Sequence, residues 1–186
     1  MTHRFRIPVI CLHRRLIVSI EIPARGKVSL MSQPQLSSEE IESTLHLVFD
    51  QQIINYGAYN LVFATGSAIY RNPDVAALQQ REQAHFLIGY RDQPQEVVVA
   101  PLSLPAVETA GSPTSIDNTN SLRAYALNNS TFGLESTNGT SFVLRFAQQM
   151  EVESTSGYGV LDQSRDVADF QQFLINSWLE PLSEEE

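Results

Sequence analysis

The chain has 186 residues, 42% of them hydrophobic and 18% charged, with a net charge of −9. That length suits one globular domain burying about 70% of its unfolded surface. No apolar run approaches the roughly 20 residues of a membrane helix, Cys11 has no second cysteine to pair with, and the single thiol favours a reducing compartment.

The charge is unevenly spread. Residues 1–30 hold Arg4, Arg6, Arg14, Arg15, Arg25 and Lys27 against Glu21, a net of +5, so the remainder of this −9 chain carries −14. A body that acidic repels phosphate backbones and anionic lipid surfaces, which argues against nucleic-acid and membrane partners. Residues 1–35 read as a basic N-terminal extension, and "MSQPQLSSEE" from Met31 reads as the start of a small cytosolic protein. Two other readings of 1–30 are a targeting segment, being Arg-rich with one acid, and a pair of short strands, "IPVICL" and "LIVSIEI". His13-Arg14-Arg15 splits the apolar stretch, so no secretory apolar region forms.

Residues 37–56 predict the clearest helix. Ser37 and Glu40 form a capping box, and Leu36 and Ile41 stand at the staple positions. Ile41, Leu45, Val48, Phe49 and Ile53 recur at helical spacing, and Gly57 is placed to end the run. "YNLVFA" (59–64) predicts a strand broken at Gly66. Asn72, Pro73 and Asp74 are helix-start signals, so 72–84 is expected to be a short helix or loop. "HFLIGYR" (85–91) and "EVVVAPL" (96–102) predict a strand hairpin turned at Arg91-Asp92-Gln93-Pro94. Residues 103–121 read as one long irregular loop, and 121–129 as either strand or short helix.

Residues 131–146 predict a second hairpin, whose register follows from its apolar pattern. A two-residue Asn138-Gly139 turn would scatter the apolar residues over both faces. A three-residue loop, Thr137-Asn138-Gly139, sets Phe132 against Leu144 and Leu134 against Phe142, with Phe146 on the same side. That loop length calls for a glycine in the left-handed conformation, at Gly139. The chain closes on a helix with Val167, Phe170, Leu174 and Trp178 on one stripe and Phe173 beside it, Ser164 or Asp166 as its cap, and Pro181 to stop it. Residues 183–186 form an acidic tail.

Motifs for chemistry are missing. His3, His13, His46 and His85 are scattered, there is no Gly-x-Ser-x-Gly elbow, and there is no phosphate-binding glycine loop. Asp162, Asp166 and Asp169 cluster at the start of the last helix, where the helix dipole favours acids. Sequons at Asn128, Asn129 and Asn138 fall in a stretch rich in Asn, Ser and Thr. No catalytic, metal or cofactor residues are therefore assigned.

The expected fold is a single α+β domain over 36–182: an N-terminal amphipathic helix, a mainly antiparallel sheet of five or six strands, and a C-terminal helix packed on that sheet. With 121–129 as a strand, the element order resembles a pleckstrin-homology-like domain. With a helix there, it resembles the small acidic secretion chaperones. Neither resemblance rests on a motif, so neither carries an activity. The expected function is a non-enzymatic module, cytosolic, binding a protein partner or itself. The alternative is a small-molecule binder or enzyme with a pocket between sheet and helix, lidded by 103–121, in which Tyr56, Tyr59, Tyr90 and Tyr125 supply polar contacts.

Overall fold

A computed structural model describes residues 34–53, 58–71 and 78–179. The chain divides between Ser32 and Gln33, and all described residues belong to the second unit. The fold is α+β, mostly antiparallel sheet with one helix before it and one after. A large sheet of eight strands runs in the order β5 (Glu108–Thr109), β4 (Gln95–Ser103), β3 (Leu78–Asp92), β2 (Asn60–Arg71), β9 (Ser141–Arg145), β8 (Thr131–Ser136), β7 (Ser121–Asn128), with β6 (Thr114–Asp117) also paired to β4. A small sheet runs β1 (Gln35–Leu36), β11 (Gly157–Asp162), β10 (Gln149–Ser154), and its β1–β11 pair is parallel. The helices are α1 (Ser38–Gln52) and α2 (Ser164–Ser177).

The large sheet curls because its two ends are tied. β6 lies at the β4 end and β7 forms the opposite end, yet only Asn118-Thr119-Asn120 separate them. The corner is fixed by its own side chains. Asp117 Oδ1 accepts from the Thr119 and Asn120 amides, and Asn120 Oδ1 accepts from the Asp117 amide. The curl encloses an inner face, which α2 fills. Val167, Phe170, Phe173 and Leu174 pack with Val62, Phe86, Ile88 and Val97 from one half of the sheet and with Phe132, Leu134, Phe142, Leu144 and Phe146 from the other.

The outer face of β2–β3–β4 carries a second core. Ile41, Leu45, Val48 and Phe49 of α1 cover Phe63, Leu87, Val98, Ala100 and Leu102, with Val152 and Leu161 of the small sheet beside them. Phe49 fits there because Gly89 has no side chain; a Cβ on it would stand 2.2 Å from the Phe49 ring.

One buried amide joins the layers. β9 pairs with β2 only from Thr65 to Ile69, so the Phe63 backbone has no strand partner on that side. Gln163, 3% exposed, fills the gap. Its Oε1 accepts from the Phe63 amide at 2.8 Å, and its Nε2 donates to the Phe63 carbonyl at 2.9 Å and to the Ala147 carbonyl at 2.7 Å.

Several expectations hold in detail. The Ser37–Glu40 capping box forms, although α1 ends at Gln52, and Gly57 lies outside the described residues. The 85–102 hairpin turns between Asp92 and Gln95. In the second hairpin Phe132 faces Leu144 and Leu134 faces Phe142, the Ser136 amide donates to the Thr140 carbonyl, and Gly139 has φ +85°.

Others need correction. The sheet has eight strands rather than five or six, the extra ones being β5 and β6 together with β7, and two of the expected strands are longer. β2 does not break at Gly66 but runs on to Arg71 through a bulge between Gly66 and Ala68. Residues 78–84, expected as helix or loop, extend β3, because a partner strand outweighs their helix propensity; 72–77 lie outside the described residues. The 103–121 stretch is not one irregular loop, since it contains β5 and β6, both on the outer edge of β4. Residues 121–128 form strand β7. The α2 cap also differs: Gln163 is the N-cap and makes no side-chain cap bond, while Asp162 takes the Ser164 amide and hydroxyl.

Candidate functional site

Two small cavities flank α1. The first, about 210 Å3, is lined by Glu42 and His46 of α1, Tyr59 and Asn60 at the start of β2, and Gln163 and Asp166 where α2 begins. His46 Nε2 lies 3.9 Å from Glu42 Oε1, both half exposed. The second, about 150 Å3, lies between α1 and the β10–β11 turn, with Ala106 and Val107 on one wall. Val107 holds φ +53°, a costly conformation for a β-branched residue. Both cavities fall short of the 300–1,000 Å3 typical of small-molecule sites. Among the described residues, no three His, Cys, Asp or Glu side chains converge into a set that could hold a metal ion, and no helix is long and apolar enough to cross a membrane.

Next to the first cavity sits a half-buried ionic cluster. Glu96 accepts from Tyr59 Oη and from Arg91 Nη2, each at 2.5 Å, and from the Ser115 hydroxyl. The Arg91 guanidinium also lies over the Tyr59 ring, 4.6 Å from its centroid. Burial opposes ionisation of Glu96, but the Ser115 and Tyr59 hydrogen bonds and the Arg91 charge outweigh it and hold its pKa below the ordinary carboxylate value. Burial, then the bond to Glu96, pushes Tyr59 up to about 12. A tyrosine so raised is a poor proton donor at neutral pH. The cluster ties β2, β3, β4 and β6 together and leaves no reactive group exposed.

Of the tyrosines expected to share a pocket, the three among the described residues do not meet. Tyr59 is in the cluster just described. Tyr90 is buried on the inner face, with ring centroids 4.9 Å from Phe170 and 5.1 Å from Phe173. Burial, then Asp169, Asp166 and Asp92, raises its pKa. Tyr125 lies on the outer face of β7, under Arg123, and Tyr56 lies outside the described residues. The three acids also separate. Asp162 accepts from the Ser164 amide and hydroxyl, Asp166 lines the first cavity, and Asp169 stands 3.8 Å from Arg165 at the surface. His85 stacks on Phe63 with centroids 5.8 Å apart, and burial lowers its pKa.

The other half of the outer face is the larger feature. Its strand register builds three rungs: Thr131–Arg145–Thr65–His85, Tyr125–Gly133–Val143–Ser67, and Arg123–Glu135–Ser141–Ile69. Directly opposed residues of paired strands share a face, so all twelve face outward together. None of them belongs to the core beneath α1, which stops at Phe63 and Leu87. A shallow trough of about 580 Å3 lies along Thr65, Ser67, His85, Thr131, Val143 and Arg145. At its side runs β7, which pairs only with β8 and carries Leu122 and Leu127, 60% and 55% exposed. Both leucines stand where the β7–β8 register shifts.

Comparison with protein-family models, with curated proteins and with solved structures found no match to this chain. The geometry alone therefore carries the functional reading.

This face is not legible along any single strand. Its rungs combine Thr, Ser, Arg and Tyr from four strands, a composition that along any one strand reads as ordinary solvent-facing positions. The usable signal was the alternation in 121–145, which sets Arg123, Tyr125, Val143 and Arg145 opposite the buried positions once the hairpin register is known.

Proposed function

We propose that the chain is a non-enzymatic interaction module that docks a protein through the outer face of β2, β9, β8 and β7. The observation that carries the reading is the half-covered sheet. Among the described residues, α1 and the small sheet pack over one half of the outer face and nothing packs over the other. Beside that face, the edge strand β7 presents backbone groups ready to pair with another chain and adds two exposed leucines.

The element order supports a pleckstrin-homology-like arrangement. β2–β4 and β7–β9 are two antiparallel meanders joined through the β2–β9 pair, and a helix closes the chain. The secretion-chaperone order needs a helix where β7 stands. The resemblance is one of shape and brings no activity with it. A second reading, a small-molecule binder, draws on the convergence of His46, Tyr59 and Asp166 around the 210 Å3 cavity.

Native mass spectrometry of the full chain, purified gently from its cells of origin, separates the two. Docking predicts an added protein mass or an integer multiple of the chain, lost in Val143→Arg. A retained mass of a few hundred daltons, indifferent to Val143→Arg, would overturn it.

A further inference from the structure

We propose that the occupant of the uncovered face is an extended, acidic segment of a partner protein, an inference that rests on the docking reading above and adds the partner's chemistry. The argument is electrostatic. Residues 31–186 contain six arginines, no lysine and twenty acids. Three of the six, Arg71, Arg123 and Arg145, serve this one face, against two acids among the described residues, Glu135 and, on β3 beside the Gln80 that pairs with Ile69, Glu82.

The remaining three lie off this face: Arg91 bonds Glu96, Arg165 stands beside Asp169, and Arg81 donates to the Ala110 carbonyl. On the face, Arg123 lies 4.8 Å from the centroid of the Tyr125 ring. Burial, then the Glu135 carboxylate, raises the Tyr125 pKa. Arg145 and Arg71 make no ion pair among the described residues, and Arg71 runs beside the Gly139 turn. A net-positive face on a strongly negative body selects an oppositely charged partner and repels like-charged ones.

Spacing sets the form of the segment. Arg145 stands opposite Thr65, and Arg71 lies six residues further along β2. At 3.3–3.4 Å per residue the two are about 20 Å apart along the strands, the span of about six extended residues. Between them the floor is Val143, Ile69 and the Ser67 and Ser141 positions, suited to small apolar side chains. The segment is therefore acidic at both ends and apolar in the middle. Residues 1–30 of this chain, at +5, have the wrong sign for the role.

The test is an amide chemical-shift titration of the full chain with three peptides: Glu-Glu-Val-Tyr-Val-Val-Glu-Glu, the same with lysine for glutamate, and the same with serine. The acidic peptide should shift Thr65, Ser67, His85, Val143 and Arg145. Its affinity should fall about tenfold between low and moderate salt, because exposed charges are screened. Arg145→Ser should weaken it about tenfold and leave distant resonances in place. If the serine or lysine peptide shifts the same residues as strongly, the face docks protein but the acidic class is wrong. If none of the three shifts it, both readings fall. If vesicles with 30% phosphatidylserine broaden these residues while the acidic peptide does not, the ligand is a lipid surface. A concentration-dependent dimer abolished by Arg145→Ser would make the occupant a second copy. Either of these last two results overturns the proposal.

Discussion

Gln163→Met removes the amide that stands in for a strand and keeps nearly the same volume. Three hydrogen bonds are lost, two to Phe63 and one to Ala147, all at 2.7–2.9 Å. Each is worth about 1 kcal/mol net, and a buried Phe63 amide left without an acceptor adds a desolvation cost of about 1–3 kcal/mol. The cavity contribution is small because methionine refills the space. The expected loss is therefore about 4–6 kcal/mol. At about 2–4 °C per kcal/mol for a chain of this size, Tm should fall by about 10–20 °C. Urea unfolding followed by Trp178 fluorescence measures the free energy, and calorimetry checks the melting point. A loss under about 1 kcal/mol would refute the reasoning, since the Phe63 and Ala147 groups would then have found other partners at little cost.

Gly139→Val should destabilise by about 1–2 kcal/mol, because a β-branched residue resists the left-handed conformation; an unchanged melting curve would count against the hairpin register. Glu96→Ala strands Arg91, Tyr59 and Ser115 in a half-buried site and should cost about 2–4 kcal/mol. Asp169→Ala breaks only the exposed contact with Arg165 and should cost under about 0.5 kcal/mol by the same urea assay. His85 has a lowered folded pKa, so its contribution is complete above the ordinary value of 6.5 and is lost as pH falls below it. The urea midpoint should decline from pH 7 to pH 5, and His85→Gln should flatten that limb. Glu96, also depressed in the fold, adds a second decline that begins only below its ordinary value of 4.5.

Legibility followed how locally each element is encoded. The α1 cap needs only Ser37 and Glu40, and the second hairpin needs only the spacing of five apolar residues around Gly139, so both were readable. The β10–β11 hairpin was not, because its buried positions include Ser154, Gly157 and Gly159 beside Val152 and Leu161. Small residues are wanted there since β1 approaches closely: a Cβ on Gly159 would stand 2.4 Å from the Leu36 carbonyl oxygen. The extension of β3 through 78–84 depends on β2 reaching Arg71, a long-range pairing that no local signal announces. β5 and β6 hide in a stretch rich in Pro, Gly and Ser because they are two and four residues long and held by β4. The candidate face was hidden for a different reason. It is defined by what does not cover it among the described residues, and coverage there is set by where α1 docks, at Gly89.

Site-specific photo-cross-linking in the cells of origin tests the docking claim most directly. A photoreactive side chain at Val143, in the middle of the uncovered half, should capture a protein more strongly than one at Leu47, which is exposed on α1. The cross-linked peptide of the captured protein, read by mass spectrometry, should be acid-rich. Equal labelling at Val143 and Leu47, or none at either, would contradict the account.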